Sequence, residues 1–217
     1  MNRRSFLLTG AAGLMLPAMS AFAQYSTSPG LPASRSGVVV VMLANFYCNR
    51  CRQANDHVER LRDAAQAAGH DLRFAPVTWE GQSVWPDRAY YATRDLFPAA
   101  EGLVRNAMFD GLQREGMLFD SVTQIVAYLE RRQVMEKALK KEPNFNLAAI
   151  AERAIQDDTM VAEAKAGRLV NLSGAEEVPV FAWVQDGQVI KTRSLRDAND
   201  VIGLVQLVFR DLIQPAS

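Results

Sequence analysis

Cysteine is nearly absent: this chain of 217 residues has two, both within the stretch N-F-Y-C-N-R-C-R at 45–52. At most one internal disulfide can form, and the pair supplies only half of a tetrahedral zinc site. Histidine is as scarce, with His57 and His70 alone. The first sits on the helix expected to carry the cysteines and the second beyond its end, so neither converges on the sulfurs. Charge of one sign is also missing, since Lys plus Arg and Asp plus Glu each number 24. No polybasic field is present to gather nucleic acid, and no acidic tail. Internal repeats and low-complexity tracts are lacking. Past the N-terminus, no apolar run approaches the roughly 20 residues that span a bilayer.

The N-terminus itself is distinctive. It reads M-N-R-R-S-F-L-L, then T-G-A-A-G-L-M-L-P-A-M-S, then Ala21-Phe22-Ala23 before Gln24. A positive segment, an apolar core and a small-x-small site make an export leader over 1–23, cleaved near Ala23. The N-R-R-S-F-L segment resembles a twin-arginine signal, with Arg3 and Arg4 as the pair. Asn2 and Leu8 depart from that pattern, so Sec export is the alternative. The core is too short for a membrane anchor. Cleavage removes two arginines and no acid. The expectation is a periplasmic protein, in a space where disulfides persist.

Residues 24–37 are rich in Ser, Pro and Gly and read as a flexible linker. The run V-V-V-V-M-L-A-N-F at 38–46 is β-branched and continuously apolar, as in a central strand covered on both faces. From Cys48 the apolar spacing turns helical, through Cys51, Ala54, Val58, Leu61, Ala65 and Ala68, with Gly69 as the stop. D-L-R-F-A-P-V-T-W at 71–79 predicts a second strand, so the two strands pair in parallel across a helical crossover. Residues 85–172 read as short helices divided at Pro98, Gly116, Pro143 and Gly167. Strand character returns at V-P-V-F-A-W-V. Asp186-Gly187 then predicts a hairpin, and a last amphipathic helix follows with Asp197 as its cap. The class is α/β, with an all-helical subdomain inserted between the two halves of a sheet domain, 38–84 and 173–217.

A thiol at the start of a helix that follows a strand faces unpaired N–H groups, which favour its anion. Cys48 is therefore the expected nucleophile. Arg50 and Arg52 add charge that cannot titrate away. Cys51, one turn on and facing the core, is the expected resolving thiol. Three other readings of the pair stand beside this one. They are zinc, copper held by two thiolates with a methionine or histidine, and a permanent disulfide, which over one turn constrains the unfolded chain little. Among aromatic and sulfur side chains, Tyr90, Tyr91, Met108, Phe109 and Met117 read as subdomain core, with a substrate groove as the alternative. Trp79 and Trp85 read as packing, with contact to a substrate as the alternative, and the charged run at 130–142 as a solvated helix face.

The succession of strand, C-N-R-C, helix, strand, helical insertion and V-P-V-F before a hairpin and final helix resembles DsbA-like proteins of the thioredoxin superfamily, over about 38–212. The resemblance implies a thioredoxin-like fold and a thiol:disulfide oxidoreductase, acting as an oxidant with Cys48 and Cys51 as its catalytic pair. No cofactor beyond their disulfide and no metal is implied. It further implies that Val178-Pro179 forms a cis-peptide loop gripping a substrate strand, and that Asn49 and Arg50, standing where relatives often carry a His, tune Cys48. Many relatives have a buried acid six residues before the first cysteine. Here that position is Met42, so water or a group such as Glu80 takes its place. The expected partners are unfolded or reduced exported proteins and a DsbB-like, quinone-linked membrane oxidase. No nucleic-acid partner is expected, and with no added dimerisation domain the chain reads as a monomer. The alternatives are a disulfide reductase or isomerase, and a non-catalytic copper or peptide carrier on the same fold.

Overall fold

The apolar run after Gly37 becomes β1 (Val38–Ala44), buried at every residue past Val38, in the computed structural model of the chain, which describes residues 37–214. The export leader over 1–23 and the linker over 24–37, Gly37 apart, lie outside the described residues. β1 pairs in parallel with β2 (Asp71–Pro76) and antiparallel with β3 (Val180–Gln185), which turns into β4 (Gln188–Arg193). The sheet order is β2-β1-β3-β4. At the β3–β4 turn, Asp186 and Gly187 have φ of 50° and 78°. Positive φ at both positions is the backbone that D-G supplies to a two-residue hairpin.

A parallel pair needs a crossover, and here it is two helices, α1 (Asn49–Asn55) and α2 (Val58–Ala67). The sequence pattern predicts one unbroken helix. Instead a tighter turn intervenes, with His57 N–H donating to the Ala54 carbonyl three residues back at 3.1 Å. The apolar stripe survives the break, and Cys51, Ala54, Val58, Leu61 and Ala65 are all buried. Asn55, at the break, is buried too and faces the helical insertion.

That insertion comprises α3 (Trp85–Leu96), a 3-10 turn at Pro98–Ala100, α4 (Glu101–Gln113), α5 (Val122–Arg131), α6 (Val134–Leu139), α7 (Leu147–Ala154) and α8 (Asp157–Ser173). Pro98, Gly116 and Pro143 fall between helices, but Gly167 lies within α8, which runs on to Gly174 at φ 65°. A helix-interior glycine costs about 1 kcal/mol, and the burial of Ala166, Leu169 and Val170 on the same helix offsets it. The run at 130–142 is not one solvated face. Left-handed Gln133 splits it, and Val134 and Ala138 turn inward. Asp197 does not cap the last helix, α9 (Val201–Ile213). Asp200 does, accepting from Gly203 N–H at 2.7 Å, while Asp197 closes a capping box with Ser194 on a separate 3-10 turn.

The insertion also covers the open edge of β2. Alternate carbonyls on the side away from β1 are each taken by a side chain: Leu72 by Arg62 at 3.4 Å, Phe74 by the Tyr90 hydroxyl at 2.9 Å, and Pro76 by the Tyr91 hydroxyl at 2.9 Å. Pro76 has no N–H to leave unpaired there, which suits it to an edge. An exposed edge is a template for pairing with other chains, and these contacts remove it. Beneath them, Phe46, Phe74, Tyr90 and Phe109 pack edge to face or tilted, with ring centroids 4.9–6.2 Å apart. Tyr90, Tyr91, Met108 and Phe109 are thus core, and Met117 packs against it half-buried. Trp85 is half-buried against the core, whereas Trp79 is 39% exposed.

Asp87, in the first turn of α3, is buried and accepts a hydrogen bond from Thr78 Oγ1 at 2.7 Å. Burial pushes its carboxyl up to about 8, against the pull of Thr78 and with a smaller push from the Glu163 charge. In an unfolded chain the group ionises near 3.9. The folded form therefore keeps its proton while the unfolded form sheds it, and the chain loses stability as pH rises from about 4 to about 8. Asp87→Asn escapes that loss. The melting temperature of the variant minus that of the parent is expected to climb between pH 5 and pH 8; a flat difference means that Asp87 is ionised in the fold.

Candidate active site

Beyond Ala44 the chain leaves the sheet in a turn set by Asn45. Its Oδ1 accepts from Tyr47 N–H at 2.7 Å and its carbonyl accepts from Cys48 N–H at 3.0 Å. Its amide group donates to the Val77 carbonyl and to Gln82 Oε1, both at 2.7 Å, anchoring the turn to the end of β2. From the other side Gln113, the last residue of α4, donates to the carbonyls of Phe46 at 2.7 Å and Cys48 at 3.1 Å. The peptide carrying the thiol is thus held by both parts of the molecule.

So held, Cys48 is the N-cap of α1, with extended backbone at φ −93°, ψ 115°. Its sulfur stands where a capping oxygen stands in most helices and accepts from Cys51 N–H at 3.3 Å. Cys48 is half-buried, and Cys51 has no exposed surface. The Cys51 thiol donates toward Cys48, and this is the chief influence lowering Cys48 to about 6. Backbone N–H groups of Cys51 and Arg50 and the Arg50 charge add to it, while burial opposes. Cys51 is driven the other way, first by burial and then by its bond to Cys48 and the charge there, with Asn45 N–H at 3.4 Å a weaker counter-influence. Near neutral pH the pair holds one proton, and it resides on Cys51.

The other residues singled out from the sequence fall as follows. The Val178–Pro179 peptide is cis, and the Val178 carbonyl lies 3.5 Å from Cys48 Sγ. Both side chains of this loop are buried, so what it presents to the sulfur is backbone. Arg50 reaches across to Glu177, next to Val178, at 2.9 Å. Asn49 does not turn to the sulfur; its Oδ1 takes Arg52 Nη2 at 3.3 Å. Met42 is fully buried on β1. Glu80 is exposed, so it does not stand in for an acid beside buried Cys51. His57 and His70 do not join the cysteines, and no cluster of three or more His, Cys, Asp or Glu fit to hold a metal occurs among the described residues.

Three contributors escape sequence reasoning. Asn45, between a strand and the first cysteine, carries a turn signal that could have been read. Glu177 precedes V-P and could have been paired with Arg50 by charge. Gln113 lies 65 residues from Cys48, and nothing local marks it.

A sheet ordered β2-β1-β3-β4, with a C-x-x-C after β1, a helical insertion after β2 and a cis-proline before β3, has counterparts among solved structures. DsbA from Pseudomonas aeruginosa aligns with a TM-score of 0.60 at 13% identity, over 83% of this chain and 87% of that one. This is the DsbA fold. The oxidoreductase DsbA from Xylella fastidiosa aligns at 0.57 and 14% identity, over 80% of this chain and 86% of its own. DsbM, a cytosolic disulfide reductase from Pseudomonas aeruginosa, aligns at 0.58 and 13% identity, over 80% and 98%. No family model and no curated protein matches the sequence. The DsbA-like fold here is a thioredoxin-like sheet with an all-helical insertion, and it delivers Cys48, Cys51 and the cis-proline loop to one place.

Because the Cys51 thiol leads the influences on Cys48, Cys51→Ala is expected to raise the Cys48 pKa, whereas Cys51→Ser, which keeps a donor, holds it near the parent. Ultraviolet absorbance of the thiolate during pH titration measures both. Equal values for Ala and Ser would show that backbone N–H groups and Arg50 suffice alone.

Proposed function

We propose that this chain is an extracytoplasmic thiol:disulfide oxidoreductase that passes a Cys48–Cys51 disulfide to thiols of reduced or unfolded exported proteins. The observation that carries the reading is the geometry of the pair: Cys48 Sγ caps α1 half-buried, accepts from Cys51 N–H at 3.3 Å and faces the cis-proline loop, while Cys51 has no exposed surface. The lowering of Cys48 and the raising of Cys51 agree with it. The export leader expected over 1–23 supports the location, and the likeness to DsbA supports the chemistry.

In the oxidised protein a substrate thiolate attacks Cys48 Sγ. The Cys48–Cys51 bond breaks, and Cys51 leaves and takes a proton. A mixed disulfide then joins Cys48 to the substrate. A second substrate thiolate attacks the substrate sulfur of that bond, and Cys48 departs as a thiolate. The substrate is oxidised by two electrons, and the pair is reduced to one thiolate and one thiol. Low thiol pKa makes Cys48 a good leaving group and stabilises the reduced protein, which is the property of an oxidant. Arg50 and the N–H groups around the sulfur hold the anion. The Val178 carbonyl, beside Cys48 Sγ, supplies an acceptor for a backbone N–H of the substrate. Return to the disulfide form calls for an oxidant, for which a quinone-linked membrane oxidase of the DsbB kind is the proposed partner.

The likeness to DsbM favours a second reading, a disulfide reductase, which runs the same steps backward. Two measurements separate the readings. An oxidant forms the disulfide of a reduced two-cysteine peptide faster than the dithiol form reduces insulin; the reverse order overturns the oxidant role. The redox potential, measured against glutathione, is expected to fall by about 30 mV per pH unit above pH 6 and by about twice that below it, since one proton fewer is taken up once Cys48 stays ionised. A uniform slope of about 59 mV per pH unit through neutral pH would show that Cys48 is an ordinary thiol.

A further inference from the structure

Arg50 leaves α1 toward the loop before the cis peptide, where Glu177 meets it. Guanidinium Nη2 to carboxylate Oε2 is 2.9 Å, and the side chains are 50% and 36% exposed. The pair joins the two walls that flank the active sulfur. Arg50 stands on one, two residues past Cys48. Glu177 stands on the other, adjacent to Val178, whose carbonyl lies 3.5 Å from Cys48 Sγ. The neighbouring acid, Glu176, pairs instead with Arg196. Arg52 is engaged by Asn49 Oδ1 at 3.3 Å. Arg50 and Glu177 thus form a charged pair across the gap.

We propose that Glu177 is a positioning residue that tempers the Cys48 nucleophile through Arg50. A cation two residues from the sulfur stabilises its anion. A carboxylate paired with that cation holds the guanidinium at the facing wall, out of full reach of the sulfur, and adds its own negative charge there. Both effects run the same way, toward a less acidic thiol. Since both side chains meet water, the pair holds weakly and is screened by salt. Its influence therefore changes with ionic strength and with any charged segment laid between the walls. The functional meaning of this role rests on the oxidoreductase reading above, but its measurement does not.

The test is a thiolate titration of the reduced mature protein in four forms: parent, Glu177→Gln, Arg50→Gln and the double variant. Glu177→Gln is expected to raise the acid ionisation constant of Cys48 about threefold, and Arg50→Gln to lower it. In the Arg50→Gln background the effect of Glu177→Gln should shrink clearly, and added salt should narrow the gap between Glu177→Gln and parent. An unchanged or lowered constant in Glu177→Gln overturns the proposal. So does a shift of equal size in both backgrounds, since Glu177 would then act on the sulfur without Arg50. Disulfide exchange with a small uncharged peptide is followed in parallel. If the titrations behave as expected and none of the four forms exchanges, the oxidoreductase reading fails while this one stands.

Discussion

Hydrogen-bond donors converging on one sulfur are what the rest of this molecule is arranged to hold. Cys48 replaces the oxygen that usually caps a helix, and the Cys51 amide, the Arg50 amide and the Cys51 thiol aim at it. A sulfur there is useful only as an anion, because a neutral thiol accepts weakly and leaves those donors poorly satisfied. Cap geometry and acidity are therefore one property. Burying the neighbouring thiol completes the asymmetry, for a second charge at Cys51 would have to form in the core beside the first.

Such a cap frays unless the peptide entering it is fixed, and the helical insertion does much of the fixing. Gln113 ties α4 to the carbonyls on either side of Tyr47. Farther along the crossover, buried Arg105 of α4 joins Asn55 of α1 at 2.6 Å, Glu59 of α2 at 2.6 Å and Glu101 at 2.8 Å. Tyr90 of α3 adds its hydroxyl to Glu101 at 2.7 Å. A buried guanidinium is tolerated because each face of its fork finds an acceptor, and removing one acceptor would strand a charge. The network fastens the break between α1 and α2 to the insertion. In turn the insertion caps β2 through Tyr90 and Tyr91. The insertion is thus a brace for the helix that Cys48 caps as much as an appendage to the sheet.

Much of this was legible in the chain because local chemistry and final structure agree. Continuous, β-branched V-V-V-V-M-L-A reads as a covered strand, D-G between two strand-like runs reads as a hairpin turn, and a C-x-x-C after that strand falls at a helix start. Errors arose where the deciding contact is distant or the local signal is ambiguous. Gly167 looks like a stop, yet the side chains around it keep α8 continuous. Asp197 and Asp200 are both fit to cap α9, and the capping box with Ser194 takes the first. The break at Asp56–His57 leaves the helical period intact, so periodicity cannot reveal it. Gln113 and Arg105 act over tens of residues, and their polar side chains give no pattern until the helices are placed.

The same asymmetry bears on direction. In the mixed disulfide of the proposed reaction, Cys48 carries no charge and Cys51 is the one other thiol of the chain able to attack it and free the substrate in reduced form. That attack requires the Cys51 thiolate. Met42 occupies the strand position where a carboxylate could have taken the proton, and Glu80 lies out in solvent. Among the described contacts the Cys51 sulfur meets the Asn45 amide, a donor that cannot accept a proton. Self-resolution has to form an anion on a sulfur with no exposed surface, whereas a second substrate thiolate attacks from solvent. A reductase depends on that step, since Cys51 must displace the substrate. An oxidant crosses the same transition state in the opposite direction when Cys51 leaves, and protonation of Cys51 afterwards holds the mixed disulfide until the substrate closes its own bond. Burial of Cys51 thus bears on how long a mixed disulfide lasts, while direction follows from the relative stability of the disulfide and the dithiol.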